Sequence, residues 1–229
     1  MAQASTLPAT TEVRFNRFMA MVYMIMALGM TITALTATYV STNQALMKRI
    51  MFSPWFAFGL FMLQIILVVA LTSAVTRMSS GGALLMFLFY SALTGISISA
   101  VFIYYSQSTI AYIFWVTAGM FFFSSLLGFF IKGDMSGVGQ FLMLALLGWM
   151  FGWIFVLFLP VSAGLNHAMN FAGILIFAGL TVRDTNRLKE LSQQMEGKQG
   201  MGGIAVIGAL VLYLDFINMF LLMLRASRR

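Results

Sequence analysis

The chain has 229 residues, 61% of them hydrophobic and only 8% charged, and its mean hydropathy is +0.96. A soluble domain carries about 25% charged residues, so this composition excludes a water-soluble globular protein and reads as a polytopic helical membrane protein. The net charge of +7 is scattered through short loops and both tails, which argues against a nucleic-acid surface, and zero cysteines exclude disulfide and thiolate chemistry.

In chain order, Met1 to Thr11 is polar and rich in small residues, without the apolar core of a cleaved signal, and reads as a short tail. The expected organisation is a polar tail over 1–17 and one seven-helix transmembrane domain over 18–229. Arg14 and Arg17 precede a first span, Phe18–Val40, and a polar loop with Lys48 and Arg49 follows. Pro54 opens a second span that runs to Thr76 and ends at Arg77, before Ser79-Ser-Gly-Gly82. The third span is Ala83–Tyr104 and the fourth Ile110–Ile131, joined by Ser106-Gln-Ser-Thr109. Lys132-Gly-Asp-Met-Ser-Gly137 makes a tight turn into the fifth, Val138–Leu159. Pro160-Val-Ser-Ala163 leads to a sixth apolar run, Gly164–Val182, and the long hydrophilic connection Arg183–Met201 separates it from the last, Gly203–Leu224. The sixth run is short and contains His167, so a re-entrant segment is its alternative, and that would change the side on which the C-terminus lies. Continuous helices are required because lipid offers backbone polar groups no partner.

Lys and Arg in the loops set the orientation. With seven spans, one side holds Arg14, Arg17, Arg77, Lys132, Arg183, Arg187, Lys189 and Lys198, and the other holds Lys48, Arg49, Arg225, Arg228 and Arg229. Eight against five places the N-terminus in the cytoplasm and the C-terminus outside.

Asp215 is the only ionisable side chain in Gly203–Leu224. A carboxylate near the middle of a span costs roughly 2.5–3.5 kcal/mol even on lenient scales, so it is expected to face protein or trapped water. Helical spacing puts Gly208, Val211, Asp215, Asn218 and Leu222 on one face, read as the inward one. The alternative is a buried acid that only bonds across helices. Asp184 lies in Thr181-Val-Arg-Asp-Thr-Asn-Arg187, where on its own it reads as an interfacial acid paired with Arg183 or Arg187. His167 reads as a hydrogen-bonded core histidine before a proton relay, and one histidine without cysteine argues against a transition-metal site. Gly95-Ile-Ser97 with His167 superficially suggests an intramembrane serine protease dyad, but nothing around Ser97 supplies an oxyanion frame. Gly148-x-x-x-Gly152 is a weak close-packing signal, and no Walker-type loop or dinucleotide fingerprint occurs.

Four stretches resemble the Bax inhibitor family, the transmembrane Bax inhibitor motif proteins. They are Leu212-Tyr-Leu-Asp-Phe-Ile-Asn-Met-Phe-Leu-Leu-Met-Leu-Arg225, Gly173-Ile-Leu-Ile-Phe-Ala-Gly-Leu-Thr-Val-Arg-Asp-Thr-Asn-Arg187, Lys132-Gly-Asp-Met-Ser136, and Leu93-Thr-Gly-Ile-Ser-Ile-Ser99 with Ser108 to Phe121. The short loops are similar to those of bacterial members. The resemblance implies a seven-helix fold whose last helix is central and wrapped by the other six. It implies a non-enzymatic, pH-dependent calcium leak in which Asp184 and Asp215 match the paired acids of the sensor, with Arg77 matching a basic latch on the first acid. Ca2+ is then a permeant or weakly bound ion and no cofactor is expected. The implied location is the bacterial inner membrane, with the lipid bilayer, Ca2+ and protons as partners. The alternative function, also implied by the family, is a non-conducting regulator that binds a membrane AAA protease or another quality-control protein. Arg183 departs from the family, which often has an aromatic residue there, and offers Asp184 a competing partner.

The two acids are not brought together by the sequence alone. Asp215 lies twelve residues past Gly203, a rise of roughly 18 Å, whereas Asp184 is expected near the interface. Should they meet, burial and like charge oppose a neighbouring cation in setting how the pair titrates. Two carboxylates with Asn218 and water would offer Ca2+, which seeks about six to eight oxygens, only a weak site, as conduction requires.

Overall fold

The computed structural model describes residues 9–74, 78–131, 133, 135–156, 158, 162–194 and 201–228. Among them the regular structure is α-helical throughout, and seven helices are long and apolar enough to cross a membrane. Two compact units are distinguished, residues 1–106 with 189–210 and residues 107–188 with 211–229.

The first unit contains α1 (Ala9–Thr42), α2 (Gln44–Phe52), α3 (Pro54–Ala74), α4 (Ser80–Ile98) and the short α5 (Val101–Tyr104). The polar loop expected around Lys48 and Arg49 is the helix α2. Asn43 caps it, its Oδ1 accepting from the backbone N–H groups of Ala45 and Leu46 at 3.1 and 3.2 Å. A side-chain cap satisfies donors that a nine-residue helix cannot satisfy internally, which is why so short and charged a stretch is ordered. Glycines let α1 and α4 close on each other. A Cβ at Gly29 would lie 2.5 Å from the Phe87 ring, and one at Gly95 would lie 2.6 Å from the Thr33 carbonyl oxygen. Small residues at helix contacts are the usual source of tight packing in lipid, where no hydrophobic drive joins the helices. Thr33 adds a hydroxyl that donates to the Ser91 carbonyl at 2.9 Å. On α3, Gln64 donates to the Thr94 hydroxyl and accepts from the Ser97 hydroxyl, at 3.2 and 3.1 Å. Ser97 therefore serves as a rivet between α3 and α4. Most of the rest of α3 is apolar and exposed: only 6% of its span is buried.

The second unit contains α6 (Gln107–Phe130), α7 (Ser136–Val156), most of α8 (Ala163–Gln194) and the later part of α9 (Met201–Ala226). Its core joins Ile174, Phe177 and Leu180 of α8 to Met219 and Leu222 of α9, with Leu142 and Trp149 of α7 packed against them. Phe114 and Phe121 of α6 meet Phe216 edge-on at 5.5 and 5.6 Å. Gly173 lies under Trp149 and Leu222, where a Cβ would be 2.7 and 2.8 Å from them. Of the glycine pair Gly148 and Gly152, only the second is a close approach, to the Met169 methyl; Gly148 has nothing within 4 Å.

Two expectations change here. The sixth apolar run is a helix long and apolar enough to span, as expected, but it does not end at Val182: it is the start of the 32-residue α8, which continues to Gln194 through the stretch read as a connection. Its buried stripe, Asn170, Gly173, Ile174, Phe177, Leu180, Thr181, Asp184, Thr185 and Leu188, keeps helical spacing after the residues turn polar. Hydropathy loses sight of the helix at Val182, whereas the stripe does not. The inward face expected of α9 is also too narrow. That helix is buried nearly all round, 67% of its span against 39% or less for every other span. Its least buried line is Ile204, Ile207, Val211, Leu214, Asn218 and Leu221. Asp215, Gly208 and Leu222 are buried as expected, but Val211 and Asn218 belong to the half-exposed line.

Candidate functional site

Asp184 and Asp215 belong to the same unit, on α8 and α9. Two contacts fix the sense of the two helices: Gly173 lies against Leu222, and the Thr181 hydroxyl lies close to the Asp215 carboxyl. Residue numbers rise along one helix as they fall along the other, so these segments run antiparallel. The length of α8 removes the gap in depth that the sequence left open. Asp184 is ten residues before the end of α8, and Asp215 fourteen after the start of α9, rises of about 15 and 21 Å. The acid expected near the interface is therefore deep in its helix. The two carboxyl groups lie within electrostatic range of each other, and Asp215 within that of Arg183.

Both acids are buried, Asp184 to 8% and Asp215 to 5% exposure. Asp215 Oδ2 is fully enclosed and has no hydrogen-bond partner among the described residues. Such a group costs free energy unless an ion, a proton or water satisfies it. Thr181 also donates its hydroxyl to the Phe177 carbonyl at 2.9 Å. A hydroxyl has one proton, so it cannot donate to Phe177 and to Asp215 at once. Asp184 accepts from Arg183 Nη1 at 2.9 Å, which is the pairing with a neighbour expected from the local sequence. Arg187 is exposed and acts on Asp184 only at longer range.

The residues around Asp184 tie α8 to α6 and α7. Thr185, fully buried, shares a 3.0 Å hydroxyl–hydroxyl bond with Ser125 of α6. Asn186 donates from Nδ2 to the carbonyls of Gly128 and Ile131, at 3.3 and 2.8 Å, and so closes the C-terminal end of α6. Gly128 sits where a Cβ would collide with the Val182 carbonyl. Gly139 of α7 sits beneath the Arg183 side chain, where a Cβ would be 2.6 Å from Nε. Sequence reasoning passed over Thr181, Thr185, Asn186, Ser125, Gly128 and Gly139. The spacing of Thr181, Asp184, Thr185 and Leu188 as a continuation of the apolar stripe was the available signal. Asn218, expected among the ligands, donates to the Leu214 carbonyl of its own helix at 2.9 Å. His167 is half-buried. Arg77, Lys132 and Asp134 lie outside the described residues, so the expected latch and turn find no test in the geometry. Among the described residues no three His, Cys, Asp or Glu side chains gather. A cation here would have to be completed by hydroxyl, carbonyl or water oxygens.

Residues 15–227 match the family described as Inhibitor of apoptosis-promoting Bax1. The chain is 39% identical to the inner membrane protein YbhL of Escherichia coli K12 over 210 residues, 91% of this chain and 89% of that protein. It is 36% identical to a protein of Borreliella burgdorferi over 92% of this chain and 90% of that one. A membrane protein of Streptococcus pyogenes serotype M1 is 33% identical over 96% and 95% of the two chains. With that coverage and seven apolar helices, the chain is a multi-pass membrane protein and belongs to the Bax inhibitor family.

Proposed function

We propose that the protein is a proton-gated Ca2+ leak of the bacterial inner membrane, with Asp184 and Asp215 as its sensor and weak ion site. The observation that carries this reading is the enclosed, unpartnered Oδ2 of Asp215 in the most buried span, with a second buried carboxyl in electrostatic range. Two carboxylates, the Thr181 hydroxyl and water give a hard cation oxygen ligands in fewer than the six to eight or so it prefers, so an ion is admitted but not retained. The all-round burial of α9 supports its reading as the helix that the other six wrap. Loop charge supports a cytoplasmic N-terminus.

Protons enter through the same groups. An ionised Asp184 holds a cation, and acid removes that partner by neutralising it. A neutral Asp215 would donate to the Thr181 oxygen, leaving the Thr181 proton on Phe177; an ionised one must compete for that proton. The leak is therefore expected to rise as pH falls and to level off or decline once both acids are neutral and Ca2+ loses its ligands. The family resemblance assigns the cation of the closed state to Arg77. The reading is tested by Ca2+ flux in proteoliposomes containing only this chain, at stepped pH. Flux that grows with acid supports the leak. Silence at every pH, with a reproducible membrane protease partner in pull-downs, supports the regulator instead.

A further inference from the structure

We infer that Arg183, seated in the niche that Gly139 leaves on α7, is the positioning residue that holds the Asp184 carboxylate. Its consequence for gating rests on the leak reading above; the pairing itself does not.

Adjacent residues of a helix point about 100° apart, so an arginine does not fall onto the carboxylate that follows it. Arg183 reaches Asp184 Oδ1 at 2.9 Å by lying sideways along the helix surface. Gly139 is what gives the side chain room to lie there. A Cβ at that position would be 2.6 Å from Nε, 3.3 Å from Cζ and 3.4 Å from Cδ, so the arginine stem rests directly on the α7 backbone. Gly139 is itself buried, one turn into α7, with its N–H on the Met135 carbonyl at 2.7 Å. The other partner is equally fixed. Thr185 on Ser125 and Asn186 on Gly128 and Ile131 prevent α8 from turning Asp184 away.

Among the described residues no other cation of this unit competes. The helices α6 and α7 carry no Lys, Arg, Asp or Glu at all. Among the described residues the charged groups facing Asp184 are Arg183 and the exposed Arg187 on its own helix and Asp215 on α9. The side chains of Arg183 and Asp184 are 23% and 11% exposed, so the pair is largely withdrawn from water. Exposed pairs are weak because water and salt screen them; this one is sheltered from both.

The test is a double-mutant cycle on the unfolding midpoint of the purified full-length protein in detergent, with Ca2+ flux as a second readout. R183Q and D184N should each lower the midpoint and, combined, lower it by less than the sum. G139A, which changes no charge, should lower the midpoint of the wild type but not that of R183Q. Additive effects, or the same G139A shift in both backgrounds, overturn the inference. If G139A does not fold, the R183Q and D184N cycle decides by itself. In proteoliposomes, R183Q should raise the neutral-pH leak roughly three- to tenfold, the size of a modest pairwise coupling. R183K, which keeps charge but loses the planar fork, should fall between R183Q and wild type. A coupled pair whose loss leaves a conducting channel unchanged overturns the gating role. A wild type that conducts nothing rejects the leak, and the midpoint cycle still decides whether Arg183 holds Asp184.

Discussion

Asn186 spends one amide nitrogen on two carbonyls, those of Gly128 and Ile131. Those acceptors sit at the end of α6, where helix geometry leaves carbonyls without intrahelical partners. Asn186→Leu keeps the volume and removes both bonds, and is expected to destabilise the protein by about 1–3 kcal/mol, the net worth of two buried hydrogen bonds. A detergent unfolding curve reads it; an unchanged midpoint would mean that water already serves those carbonyls. At this scale the sequence exposed the acids and hid their supports. Asp184 and Asp215 stood out because charge is rare in this chain, at 8% of residues. Thr181, Thr185 and Asn186 did not, because threonine and asparagine at the end of an apolar run are ordinary loop residues until the helix is known to continue.

At the scale of the element, α8 changes its chemistry without changing its geometry. Its first half buries Ile174 and Phe177, its second buries Thr181, Asp184 and Thr185, and one stripe links them. Hydropathy alone ends the helix at the change, which is why the sequence does not bring the two acids together. The other span cores were legible to within a few residues because apolar runs of that length admit one structure in lipid. The short α2 was not, since its order depends on the Asn43 cap. Glycine offers a sharp check on the packing of α8. Gly128→Ala places a methyl against the Val182 backbone and the Thr185 side chain, neither of which yields easily. Overpacking of that kind costs about 1–3 kcal/mol. Gly148→Ala meets nothing within 4 Å and should stay within about 0.5 kcal/mol of wild type. Parallel thermal denaturation of the two variants separates them; equal midpoints would remove the case for a close α6–α8 contact at Gly128.

For the molecule as a whole, seven candidate spans and the loop charges lead to the expectation that the ends of the chain lie on opposite sides. A reporter fused after Arg229 is expected to be active outside the cytoplasm, and one inserted within residues 195–200 inside it. A C-terminal reporter active in the cytoplasm would break the seven-span topology. The proposed leak depends most on Asp215 in the most enclosed helix, whose Oδ2 has no partner among the described residues and needs a proton, a cation or water. Asp215→Asn keeps the shape of that group and removes its ability to ionise, so folding should survive while both Ca2+ affinity and acid response fall. The most direct measurement is therefore the pH profile of Ca2+ flux through wild type and Asp215→Asn, reconstituted alone in the same liposomes. The account predicts a wild-type leak that rises with acid and a variant whose flux is low and nearly flat. A variant that conducts Ca2+ with the wild-type profile would contradict it, and Asp215 would then be a structural residue.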